Sequence, residues 1–155
     1  IPLLLLIYLL QSKIGPVLNS MWIGLFPFLA EPEGFKMAAL FAPEMRALWV
    51  GAWGLLALVV LQSVFNAFGE EFIFRGALLP RMKGVFGRWD WVANAVLFGL
   101  YHLHQPWGIP GNILSGLLYA FTAKRYRSTW FSIILHSGQS LFFIFLILGL
   151  VLGLA

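Results

Sequence analysis

The 155-residue chain is 61% hydrophobic and only 10% charged, with a mean hydropathy of +0.88. That composition excludes a water-soluble surface and predicts an integral membrane protein. The absence of cysteine excludes disulfides, thiolate metal sites and cysteine nucleophiles, and the net charge of +4 sits at the ends of apolar segments, where anionic lipid headgroups rather than nucleic acid are the expected partners.

In chain order, apolar segments run from Ile1 to Leu10, Val17 to Ala30, Ala47 to Phe68, Trp89 to Leu103, Ile113 to Ala123 and Thr129 to Ala155. Each is expected to be a helix, because an open strand leaves its backbone unpaired in lipid. The expected fold is all-α: a polytopic membrane bundle of about six transmembrane or partial helices enclosing an intramembrane cavity. No polar linker or repeat divides it, so residues 1–155 are expected to form a single domain. Only the third and last segments reach the ~20 residues a span needs; the others must tilt or stay partial. The chain begins at Ile1 rather than Met and its first segment is too short to span, which suggests an N-terminus trimmed from a longer chain, with room for a signal peptide upstream.

Two basic clusters, Arg81, Lys83, Arg88 and Lys124, Arg125, Arg127, lie two spans apart. The positive-inside rule puts both on the cytoplasmic face. Lys13 then falls inside, the loop "EPEGFKMAALFAPEMR" outside, and Ala47 to about Leu79 makes one crossing. The C-terminus is expected outside. Pro80 and Pro106 each should end or kink a helix, since proline has no amide donor.

Against this apolar background the stretch "GEEFIFRG", Gly69 to Gly76, stands out. A carboxylate at membrane depth costs on the order of 2.5 to 3.5 kcal/mol on insertion scales, and here are two in succession. Glu71 and Arg75 are four residues apart on one helical face and are expected to form a structural ion pair. Glu70 points about 100° away, on the side of Phe74, with no basic residue at helical spacing. The plain structural reading is that both carboxylates lie hydrated at headgroup level. Two histidines weigh against it: "FGLYH" places His102 near the end of one apolar helix, and "ILHSGQS" places His136 inside another. Phe98 with His102, and His136 with Ser140, are pairs four residues apart, each sharing a face. His104, about 200° round the helix from His102, is expected to face elsewhere, at the interface with Gln105 and Trp107. Asn94 and Asn112 read as caps or bridges, and Gly111, Ser115, Gly116 and Tyr119 as a small-residue packing face. The tryptophans and tyrosines read as interface anchors.

The ordered set "EEFIFR", "FGLYH" and "HSGQS" resembles the CAAX protease and bacteriocin-processing (Abi) family of intramembrane proteases, whose pattern is EExxxR, then FxxxH, then HxxxN or HxxxD. The stretch "GLLYAFTAKRYRSTWFSIILH" leading into His136 is also similar, so the resemblance covers about residues 47–145. Glu70, Glu71, Arg75, Phe98 and His102 match. The third motif departs, with Ser140 where the family usually has Asn or Asp.

The resemblance implies hydrolysis of a peptide bond in a membrane-associated protein or peptide, prenylated or sorted, in a multi-pass protein, expected in a bacterial inner membrane. It implies that Glu70 and His102 activate water, with Glu70 as general base, and that His136, helped by Ser140 or Gln139, donates to the oxyanion. It also admits a zinc site built from Glu70, His102 and His136. The metal-free glutamic mechanism is favoured, because a zinc site would want a further carboxylate as base and Glu71 is committed to Arg75. Three other readings compete. "ILSGLL" with "ILHSG" superficially resembles a rhomboid serine protease, with Ser115 as nucleophile and His136 as base, although the first Gly of GxSG is missing. An intramembrane Glu with two His also suits a proton- or ion-coupled transporter. A silent scaffold that kept the fold and lost the activity is the third.

Overall fold

The computed structural model describes residues 9–154, and every regular element in it is helical. The expected first segment, Ile1 to Leu10, lies outside the described residues but for its last two. Six helices carry the architecture: α1 (Gly15–Leu25), α2 (Pro43–Trp49), α3 (Trp53–Arg81), α4 (Asp90–Tyr101), α5 (Ile109–Tyr126) and α6 (Thr129–Val151). Short 3-10 turns at Pro27–Leu29, Glu33–Phe35 and Met37–Phe41 link α1 to α2, and another at Pro106–Gly108 leads into α5.

Two boundaries differ from expectation, each for a local reason. The second apolar segment stops being α-helical at Leu25, because Phe26 precedes Pro27 and leaves the helical region (φ −131°, ψ 71°). The third does not begin its crossing at Ala47, which belongs to α2; the chain turns at Gly51, with φ +77°, and α3 starts at Trp53. Glycine adopts that left-handed conformation without the steric penalty of a Cβ. The stretch expected as a plain loop therefore contains turns and a short helix.

α3 is a composite. It is α-helical over Trp53–Glu71, π-helical over Phe72–Leu78, and closes with one turn at Leu79–Arg81. π-turns inside helices are uncommon and cluster at functional sites. Pro80 does fall at the helix end, and Arg81 donates back to the Ala77 carbonyl at 2.7 Å, satisfying a terminal acceptor.

α3 and α6 are the two described helices long and apolar enough to cross a membrane, and only 22% of the apolar window of each is buried. Leu58, Leu61 and Phe65 on α3, and Phe142 and Phe145 on α6, stay exposed. So much outward apolar surface is what a lipid-facing helix needs and a soluble protein avoids. The protein is an integral membrane protein.

Packing follows the small residues. α4 and α5 run antiparallel, with Gly99 against Ile109 and Ile113, and Gly116 against Ala95 and Phe98. A Cβ on Gly116 would sit 3.1 Å from Phe98 and 3.2 Å from the Ala95 backbone, so glycine is what lets these backbones approach. α3 and α6 are also antiparallel: Leu56 and Val59 pack on the Ile147, Leu150, Val151 cluster, while Glu71 meets His136. α1 docks on the start of α5, where Asn19 accepts from the Gly111 amide at 2.9 Å and Trp22 donates to the Pro106 carbonyl at 3.0 Å. At the other end, Lys124 pairs with Asp90 and donates to the Arg88 carbonyl. The two basic clusters thus gather at one end of the bundle.

Candidate active site

The polar centre is built on the π-turn of α3 and on three neighbouring helices. Glu71, with no exposed surface, accepts from Arg75 at 2.9 Å. The same oxygen, Oε1, lies 3.1 Å from Nδ1 of His136. Arg75 continues the network by donating to the Gly116 carbonyl at 3.2 Å, and its guanidinium lies 4.3 Å from the centre of the Phe98 ring and 5.3 Å from that of Tyr119. Glu71 and Arg75 therefore tie α3 to α5 and α6 together. Removing either would leave a buried charge without its partner.

Glu70 is differently placed. It is 8% exposed, makes no hydrogen bond through its buried Oε2, and faces two imidazoles. Its Oε1 is 3.8 Å from Nε2 of His102 and its Oε2 is 4.0 Å from Nε2 of His136. Both gaps are too long for a direct hydrogen bond and fit a single bridging water. The far nitrogen of each ring is already fixed. His102 Nδ1 lies 2.8 Å from the Phe98 carbonyl, which can only accept, so Nδ1 carries the proton. His136 Nδ1 faces the Glu71 carboxylate in the same sense. In the neutral rings, Nε2 of each then presents a lone pair toward Glu70.

His102 and His136 line a cavity of about 340 Å³ together with Phe98, Ser115, Tyr119, Gln139 and Ser140. Glu70 lies beside the two imidazoles rather than on the wall itself. Tyr119 stacks on His136, ring centres 5.2 Å apart and 14° from parallel, and donates its hydroxyl to Oε1 of Gln139 at 3.0 Å. Ser140 is turned to its own helix, toward the His136 carbonyl at 3.5 Å. Ser115 donates to the Gly111 carbonyl at 3.1 Å.

Sequence reasoning misplaced or missed several groups here. His104 is exposed, as an interfacial residue is expected to be, but it is not turned from His102: α4 ends at Tyr101, the helical offset ceases to apply, and the His104 ring stacks on His102 at 5.5 Å. Tyr119, taken for packing, shapes the cavity. The polar wall contributed by Gln62, Ser63 and Asn66 of α3 and Asn112 of α5 was not singled out as a site. The signal was present, since Asn66 precedes Glu70 by four residues and so shares its face.

Glu70, His102 and His136 are the residues that could hold a metal ion. With bonds near 2.1 Å, a tetrahedral zinc shell brings neighbouring donors to about 3.4 Å of each other. The separations of 3.8 and 4.0 Å are wider, and no group of three such side chains closes round one ion among the described residues.

The family model for the type II CAAX prenyl endopeptidase, Rce1-like, matches residues 52–142. That span is more than half of the chain and contains Glu70, Glu71, Arg75, His102, His136 and Ser140. No curated protein and no solved structure matches the chain significantly.

Proposed function

The chain belongs to the type II CAAX prenyl endopeptidase Rce1-like family, and from that premise we propose that it is a multi-pass, single-domain intramembrane endopeptidase in which Glu70 activates water. The observation that carries this reading is the Glu70 carboxylate facing Nε2 of both His102 and His136 at 3.8 and 4.0 Å. A water between them gives one hydrogen to Glu70 and the other to the His102 lone pair, leaving its own lone pair for the scissile carbonyl carbon. Attack forms the C–O bond while Glu70 takes the proton. Collapse breaks the C–N bond as Glu70 returns that proton to the leaving amine.

The oxyanion needs donors. His136 donates from Nε2 only when both ring nitrogens carry protons, since Nδ1–H already faces Glu71. Ser140 faces a backbone carbonyl and Gln139 accepts from Tyr119 through its oxygen. The carboxamide of Asn66 lines the same cavity one turn from Glu70, has no hydrogen-bond partner among the described residues, and donates in every protonation state. We assign the oxyanion to Asn66, joined by His136 in its doubly protonated form. The reaction proceeds without a metal, in keeping with a donor spacing wider than a zinc shell. The substrate class is a membrane-associated protein whose prenylated cysteine precedes a short C-terminal tail.

The test is cleavage of a farnesylated peptide ending in a CAAX sequence by purified protein in liposomes, with products identified by mass spectrometry. The expected result is release of the C-terminal tripeptide, retained in Ser115→Ala. Loss of all turnover in a folded Ser115→Ala variant would move the nucleophile to Ser115 and refute the glutamate reading.

A further inference from the structure

A second cavity, about 550 Å³, opens at the basic end of the bundle, between α3, α4, α5 and the start of α6. Four cationic side chains line it, Arg75, Lys83, Lys124 and Arg127, against one carboxylate, Asp90. Asp90 is taken by Lys124. Lys83 and Arg127 have no ion-pair or hydrogen-bond partner among the described residues.

Three independent features make this a site rather than a patch of surface charge. Arg75 lies at its inner wall, only 2% exposed, with a buried Nε that has no partner; an orphaned buried donor calls for an acceptor. Arg127 is the one non-glycine residue with positive φ (51°) among the described residues. It ends α5 in the left-handed conformation that glycine usually fills, so a cation stands where glycine would be unstrained. Ser128 and Thr129, which begin the 23-residue α6, line the same cavity and present the positive end of its dipole. Leu79 and Ala123 supply an apolar wall beside these charges.

We propose that this cavity binds the phosphate of an anionic amphiphile, a glycerophospholipid headgroup whose acyl stem lies along Leu79 and Ala123. The cavity sits at the end of the Trp53–Arg81 span, the depth at which headgroups lie. Phosphate is the shared chemistry, and a free phosphate ester would use the same cations without the apolar wall. Arg75 links the site to Glu71, and Glu71 to His136, so an anion bound there acts on the network that holds the imidazole.

The experiment is native mass spectrometry and thermal melting of the detergent-purified protein with phosphatidylglycerol, phosphatidylcholine or inorganic phosphate. Phosphatidylglycerol is expected to remain bound one to one and raise the melting temperature by several degrees, whereas phosphatidylcholine does neither. Lys83→Gln is expected to weaken phosphatidylglycerol binding about tenfold. Arg127→Gly makes the sharper test: it removes a cation and relieves the positive φ, so this variant should melt no lower than wild type without lipid and yet bind the lipid at least tenfold more weakly. Displacement of the lipid by millimolar inorganic phosphate would support the phosphate site and name a soluble source for its ligand. Equal retention of the two lipids, or unchanged phosphatidylglycerol binding in Arg127→Gly, would overturn the proposal.

Discussion

The cavity of the two imidazoles and the cavity of the four cations meet at the same aromatic rings, yet they offer opposite chemistry. Phe98 and Tyr119 line the first; Arg75 rests on those rings and lines the second. On the imidazole side the polar groups are neutral carboxamides and hydroxyls beside Glu70, whose buried Oε2 has no hydrogen bond and which, unlike Glu71, has no cation paired to its other oxygen. On the cationic side the charges outnumber their partners. Adjacent positions in the sequence thus enter different environments, because Glu71 turns toward Arg75 and the Nδ1 of His136, and Glu70 toward the Nε2 atoms of both histidines. A buried charge that is paired holds helices together, and one that is left facing water and imidazole is available for proton transfer.

The largest effect that could break this contrast is on stability. Glu71→Ala strands both Arg75 and the Nδ1–H of His136, and is expected to destabilise the bundle by about 3–5 kcal/mol, read as a lowered melting temperature in detergent. A wild-type melt in Glu71→Ala would mean the pair does not tie the helices. Next comes Asn66→Ala, expected to lower kcat about 10²-fold with KM and melting little changed. Adding Ser140→Asn to that variant should recover part of the loss, since it returns a carboxamide to the same cavity wall. An unaltered kcat in Asn66→Ala would place the oxyanion elsewhere.

Gly116→Ala is a smaller perturbation. The new Cβ would press on Phe98 and on the Ala95 backbone, and backbone cannot swing aside, so a loss of about 1–3 kcal/mol is expected. It should also loosen Arg75, which donates to the Gly116 carbonyl; an unchanged melt would show that α4 and α5 have slack at this crossing. The smallest expected effect is that of a chelator, which should leave turnover unchanged in protein assayed for metals. Stoichiometric zinc required for turnover would replace the water held by Glu70 with a metal-bound one.

Much of the helical layout was legible because lipid leaves the backbone few choices. The two long crossings, the basic end and the four-residue spacing of Glu71 and Arg75 could be read from the chain alone. The features that escaped reading depend on local breaks in regularity. Gly51 ends one helix before the apolar run suggests it, and the π-turn after Glu71 alters the register of the residues beyond it. The stacking of His104 on His102 escaped reading because the helix stops at Tyr101 and its offsets no longer apply. The choice of His136 for Glu71 is settled by packing between helices far apart in sequence, and Ser140 turns to the carbonyl one turn back on its own helix, a local option of any helical serine. A one-dimensional pattern gives each helix its faces and not its neighbours' distances.

The two neighbouring glutamates are held to differ in kind, and turnover of Glu70→Gln in liposomes, on a farnesylated CAAX peptide, tests that claim most directly. The substitution keeps the size of the side chain and removes the base. A fall of about 10³-fold in kcat is expected, in a protein that melts as wild type does. Cleavage near the wild-type rate in Glu70→Gln would contradict the assignment of Glu70 as the base.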